Sequence, residues 1–403
     1  MFSPSKDAMY KRIEFDILAR RVAEPRRFIQ VVVGPRQVGK TTLVKQVLDE
    51  CAVPHLHFSA DNVPASGSSW IADCWDTARA RMAAGKEKEF LLVIDEIQKI
   101  AQWSEVVKWE WDADTWNGVG LKVILLGSSR VLLEKGLSES LAGRFEEIRM
   151  THWSYKEMND AFGMSLDEYV FYGGYPGAVG LTDDADRWEN YIGSAIVDAT
   201  INKDILQNQV VTKPALLRQA FELGSSYSSR ELSLNKLMGE LQDAGNTTTL
   251  SSYFRMLSDS GMLTTLHKFA VDQARKRASA PKFQVYNNAL RAIYNDYSFA
   301  QALENRRIWG MYFESAIGAH IVCRAFTDRY DAYYWRDGNN EVDYVIQKKD
   351  KVVAIEVKSN DESSSVGIEA FKKKFNPYRV VVVGKNALPA EEFLSINPAD
   401  LFE

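Results

Sequence analysis

The chain has 403 residues, 46% of them hydrophobic and 26% charged, with a formal net charge of −5. That length allows two to four domains with full cores, and that balance excludes a globally basic nucleic-acid binder and a disordered polyelectrolyte. No run reaches the roughly 18 apolar residues of a membrane span, and the N-terminus lacks an apolar signal core, so a cytoplasmic protein is expected. The three cysteines (Cys51, Cys74, Cys323) are scattered and read as reduced.

Residues 1–28 read as a leading helix with a basic cluster at Arg20, Arg21, Arg26 and Arg27. From Phe28 strands alternate with helices: strand 28–33, helix 40–50, strand 55–59, helix 70–84, strand 90–94, helix 103–110 and strand 121–126. Strands separated by helices imply a parallel sheet covered on both faces.

The first turn of that series is the most informative. Gly34, Pro35, Arg36, Gln37, Val38, Gly39, Lys40, Thr41 and Thr42 follow an apolar strand and open a helix, matching G-x-x-x-x-G-K-[ST]. The glycines let successive amides cradle phosphate oxygens at a helix N-terminus. Lys40 is expected to reach the β- and γ-phosphates of ATP, and the Thr41 hydroxyl to hold Mg²⁺. The strand Phe90-Leu-Leu-Val-Ile ends in Asp95 and Glu96, expected to hold Mg²⁺ through water and to polarise the attacking water, respectively. The next apolar strand ends in Ser128-Ser129-Arg130, whose tip is placed to sense a γ-phosphate. Arg144, in Leu141-Ala-Gly-Arg144, is a further arginine with no assigned role, and Trp103, Trp109, Trp111 and Trp116 read as packing of one helix.

Residues 151–215 read as a helical lid, broken at Gly173-Gly174-Tyr175-Pro176. Residues 216–290 read as a winged helix: two short helices, then a hairpin from 263–269 to 282–286 whose tip carries Arg275-Lys276-Arg277. Residues 291–403 give a helix containing Glu314, strands at 333–336, 341–347, 352–358 and 379–383, and a helix at 366–374. Here Asp343, and Glu356 with Lys358 two residues on, fall on adjacent half-buried strands joined at Lys348–Lys351. With Glu314 they form a set of acids suited to a second Mg²⁺ site, beside a lysine able to activate water. A salt-bridged sheet edge is the structural alternative.

On GPRQVGKTTL, LLVIDEIQ, LLGSSR, SLAGRF, GGYP, PKFQVYN, YFES, EVDYVI and AIEVKSN, nearly the whole chain resembles the prokaryotic AAA/STAND-related P-loop ATPases with a C-terminal restriction-endonuclease-like domain. That resemblance implies an α/β fold: a P-loop ATPase core over 1–150, the lid, the winged helix, and the endonuclease-like domain. It implies Arg130 as the arginine of the sensor strand and Pro176 in the turn against the adenine. It also implies Asp343, Glu356 and Lys358 in the nuclease positions, with Glu314 as the helix acid; Val342 stands where the commonest form has proline. The expected function is a Mg²⁺-dependent ATPase controlling a nuclease-like domain that acts on DNA in preference to RNA. The alternative is a nucleotide-switched scaffold that binds nucleic acid or protein without cutting. Oligomeric state stays open, homo-oligomers included, and no membrane partner is expected.

Overall fold

The computed structural model describes residues 9–127, 140–207, 209–241, 245–270, 279–358 and 366–403. Arg130 and the basic tip 275–277 lie outside the described residues. The chain divides into two compact units, Met1–Met150 and Thr151–Glu403.

The first unit begins with α1 (Ile13–Ala23), followed by β1 (Ile29–Val33), α2 (Lys40–Glu50), β2 (His55–Ser59) and α3 (Ser69–Gly85). It continues through β3 (Phe90–Asp95), α4 (Trp103–Asn117), β4 (Leu121–Gly127) and β5 (Phe145–Arg149). The five strands form one sheet in the order β2-β3-β4-β1-β5, every neighbouring pair parallel.

Because strand side chains alternate between two covered faces, β1, β3 and β4 are largely apolar, with Gln30, Lys122 and Asp95 as their polar residues. Val31, Val33, Leu92 and Ile94 pack with Trp75, Trp103, Val107 and Trp111 from α3 and α4. Val32, Leu91, Val93, Ile124 and Leu126 pack on the other face with Leu18, Val22, Leu43, Val44 and Val47 from α1 and α2. Trp103 and Trp111 are therefore core residues, whereas Trp109 and Trp116 are exposed. Strand β5 lies outside the strands expected from the sequence: Phe145-Glu-Glu-Ile-Arg carries three charges because it is an edge strand, held by its register with β1 (Val32↔Ile148).

The second unit opens with α5 (Tyr155–Phe162) and α6 (Leu166–Tyr172), each started by a capping box, Ser154 with Glu157 and Ser165 with Glu168. Pro176 starts a short 3-10 turn, Pro176–Leu181. Next come α7 (Pro214–Ser226), α8 (Leu234–Glu240), α9 (Thr247–Asp259), β6 (Leu263–Lys268) and β7 (Lys282–Val285). The long α10 (Arg306–Asp328) leads to β8 (Asp331–Asp337), β9 (Asn340–Lys348), β10 (Lys351–Lys358), α11 (Val366–Phe375) and β11 (Arg379–Gly384).

The hairpin expected as a wing is built into the C-terminal sheet, whose strand order is β11-β10-β9-β8-β6-β7. Strand β6 pairs antiparallel with β7 (Leu266↔Lys282) and parallel with β8 (His267↔Tyr333). One six-stranded sheet thus crosses position 290, where the sequence reading placed a boundary. The turn at Gly174 is tied to the segment after β7: the Gly174 amide donates to Asn287 Oδ1 at 3.1 Å. Among the described residues, no helix is long and apolar enough to cross a membrane.

Candidate functional site

The phosphate loop joins β1 to α2 through residues in the left-handed region, Gln37 at φ 60° and Gly39 at φ 91°. Gly39 caps α2, and its carbonyl accepts the first helical bond, from Leu43 N at 2.8 Å. Alternating backbone signs of this kind turn several amides toward one point, which together with a helix N-terminus favours an anion. Gly34 has no room for a side chain, since a Cβ there would lie 2.6 Å from the Met150 carbonyl oxygen.

Lys40 is buried, and its Nζ donates to the carbonyls of Gly34 at 2.9 Å and Pro35 at 2.7 Å. The ammonium is therefore held over the loop. The Thr41 hydroxyl donates to Asp95 Oδ2 at 2.7 Å, and the other Asp95 oxygen accepts the Glu96 amide at 2.8 Å. Glu96 sits at φ 55° and its carboxylate accepts from Gln98 Nε2 at 2.7 Å. Lys40, Thr41, Asp95 and Glu96 all belong to the first unit. A lysine, a hydroxyl, an aspartate and a second carboxylate around a nest of amides fit a nucleoside triphosphate with its divalent cation.

Residues 26–159 match the family described as an AAA domain. The first unit is AAA-like. This similarity to a P-loop ATPase domain implies nucleotide binding. Residues 163–298 and 309–401 match two domains of unknown function, DUF8612 and DUF4143. An uncharacterized protein of Haemophilus influenzae is 24% identical over 388 residues, covering 89% of both chains. Another, from Mycobacterium tuberculosis, is 24% identical over 392 residues, covering 96% of this chain and 83% of its own. A third, from Methanocaldococcus jannaschii, is 20% identical over 376 residues, 86% of this chain and 78% of its own.

Two further arginines of this unit make contacts of their own, Arg144, which the sequence leaves without a role, and Arg12. Arg144 grips Asp112 of α4 with two bonds, Nε to Oδ1 at 2.7 Å and Nη2 to Oδ2 at 3.0 Å. Arg12, buried ahead of α1, donates to the Val38 carbonyl of the phosphate loop at 3.2 Å. Arg12 carries no motif signal, because the contact depends on how α1 packs. Pro176 belongs to the second unit.

In the second unit β9 and β10 form the expected hairpin, in register from Lys348↔Lys351 to Tyr344↔Ile355. The next residue, Asp343, accepts the Val357 amide on Oδ2 at 2.7 Å. That bond ties Asp343 to the stretch of β10 that carries Glu356 and Lys358, which pair with each other at 3.0 Å. Glu314 reaches the same region from α10 but pairs with Lys282 of β7, Nζ to Oε1 at 2.6 Å. Lys282 also donates to the Asp343 carbonyl at 3.0 Å.

Lys282, Glu314 and Asp343 line a cavity of about 310 Å³ together with Arg230, Glu231, Arg336 and Glu341. Burial first, and the Glu314 carboxylate second, push the Asp343 carboxyl up to about 7. Burial alone would lower the Lys282 ammonium, but Glu314 and Asp343 outweigh it and hold its pKa above the usual lysine value. Among the described residues no three His, Cys, Asp or Glu side chains stand together as a metal-binding group. As arranged here, Glu314, Asp343 and Glu356 do not fit a shared divalent cation: Lys282 takes Glu314 and the Asp343 main-chain carbonyl, the Asp343 carboxylate accepts the Val357 amide, and Lys358 pairs with Glu356. Lys282 lies in Pro281-Lys282-Phe283-Gln284, and only the pairing of β6 with β7 and β8 brings it to the acids.

Proposed function

We propose that the chain is a Mg²⁺-dependent ATP-binding and hydrolysing protein whose nucleotide state governs a restriction-endonuclease-like C-terminal module. The observation that carries this reading is the 2.7 Å bond from the Thr41 hydroxyl to Asp95, beside the buried Lys40. On this reading the loop amides from Gly34 to Thr42 hold the phosphates, and Lys40 leaves its carbonyl partners for the β- and γ-phosphates. Thr41 and Asp95 hold the divalent cation, which when bound neutralises phosphate charge. Glu96 accepts a proton from the attacking water, and Gln98 orients its carboxylate. Arg130 serves as the γ-phosphate sensor by family resemblance.

For the second unit we propose binding of nucleic acid, DNA in preference to RNA, through the winged-helix segment and the endonuclease-like sheet. The hydrogen bond between Asp343 and Val357 supports a nuclease-like arrangement, with Glu356 and Lys358 alongside. The Lys282–Glu314 pair favours the reading in which the module binds without cutting.

Purified full-length protein should turn over ATP with Mg²⁺, and Lys40→Ala should reduce turnover by at least about 100-fold. Turnover that persists in Lys40→Ala overturns the site assignment. Incubation with linear, circular and single-stranded DNA and with RNA tests the second unit. Cleavage lost in Asp343→Ala and Glu356→Ala would establish the nuclease reading, and retention of polynucleotide without cleavage would establish the binding one.

A further inference from the structure

Lys282 is 5% exposed and belongs to β7, where its backbone pairs with Leu266 and bridges to Glu231. Its side chain is as constrained as its backbone. The ammonium donates to Glu314 Oε1 at 2.6 Å and to the Asp343 carbonyl at 3.0 Å, and it lies 4.4 Å from the centre of the Tyr344 ring. The Tyr344 hydroxyl in turn lies 3.0 Å from the Glu314 carbonyl and 2.9 Å from Gln284 Oε1. A buried ammonium is tolerated only with such partners around it.

A divalent cation on the same carboxylates needs oxygen ligands at about 2.0–2.6 Å on several sides. The ammonium already takes one Glu314 oxygen and the Asp343 main-chain carbonyl, while the Asp343 carboxylate accepts the Val357 amide. A second cation there would also stand within a few ångströms of a fixed positive charge, and the two would repel strongly in this buried setting. The lysine and the metal ion therefore compete for one place.

We infer that Lys282 is a resident cation filling the position between Glu314 and Asp343, so that the cavity takes up Mg²⁺ or Mn²⁺ only when this lysine is removed. The proposed nuclease-like reading of the second unit gives the inference its meaning, since a site occupied by Lys282 binds a polynucleotide without metal-assisted cleavage. The inference itself rests on the side chains alone.

Mn²⁺ binding to the nucleotide-free full-length chain, in a Thr41→Ala background that disables the phosphate-loop metal position, tests it. Equilibrium dialysis and the electron paramagnetic resonance signal of free Mn²⁺ count the bound ions. With Lys282 in place, no Mn²⁺ site should depend on Asp343; a site lost in Asp343→Asn overturns the inference. Lys282→Met should add one Mn²⁺ per chain, which Lys282→Met with Asp343→Asn removes and Lys282→Arg does not produce. A Lys282→Met chain with unchanged circular dichroism and melting that binds no additional Mn²⁺ also overturns it. If Lys282→Met does not fold, the effect of Asp343→Asn in the chain that retains Lys282 decides alone. ATP turnover enters none of these readouts, so failure here is separable from failure of the ATPase assignment.

Discussion

The Thr41 hydroxyl meets the Asp95 carboxylate at 2.7 Å, although β4 lies between β3, which ends in Asp95, and β1, which leads into the phosphate loop. With β4 inserted, the ends of β1 and β3 stand two strand spacings apart, and it is the loop and first turn of α2 that carry Thr41 across to Asp95.

On the proposed reading, binding and hydrolysis fall to different acids. Glu96→Gln should retain ATP affinity while lowering turnover by about 10²–10⁴-fold, the usual contribution of a positioned base. Asp95→Asn should weaken the Mg²⁺ dependence of binding instead. Calorimetry with ATP at varied Mg²⁺, alongside steady-state turnover, reads both effects; equal losses of affinity in the two variants would overturn the division of roles.

Asp114 on α4 is 1% exposed and accepts from Trp75 Nε1 at 3.1 Å and Arg79 Nε at 2.8 Å. Arg79 also bonds Glu110 at 2.6 Å, so α3 and α4 are joined by a charged network over the tryptophan core. Asp114→Ala leaves that guanidinium and the indole short of an acceptor and should cost about 3 kcal/mol in a urea melt. Asp114→Asn, which keeps one acceptor oxygen, should cost less.

Buried His320 on α10 donates through Nε2 to the Ile396 carbonyl at 3.0 Å. Burial, reinforced by Arg324, lowers its pKa from 6.5 to about 4, with the Ile396 hydrogen bond, Glu157 and Asp328 opposing the shift. The unfolded chain therefore takes up this proton first as pH falls. The contribution to stability is complete above about pH 6.5 and is lost progressively down to about pH 4, on the order of 3 kcal/mol in all. Denaturant melts of the parent and His320→Asn at pH 7.5, 6 and 5 should show the parent losing more stability than the variant; parallel losses would refute the assignment.

Local chemistry made much of the first unit legible. A strand, a glycine-rich turn and a lysine-threonine pair opening a helix lie within about a dozen residues, so neither glycine at the turn nor Lys40 depends on distant pairing for its meaning. The apolar runs of β1, β3 and β4 carried the parallel sheet for the same reason. Strand β5 was missed because its glutamates and arginine suit an edge, and being an edge is a property of the assembled sheet. Arg12 was missed because its partner is a main-chain carbonyl 26 residues away.

Sequence determined which groups the chain carries: a glycine-rich loop with its lysine and threonine, an acid pair, and the acids and lysine of the C-terminal hairpin. Tertiary structure alone decided which charges meet. Lys282 and Glu314 are 32 residues apart, and Lys282 and Asp343 are 61 apart. Only the register of β7 in a six-stranded sheet and the packing of α10 bring them together, because long-range pairing, unlike a turn or a helix start, leaves no periodic trace in the residues that make it.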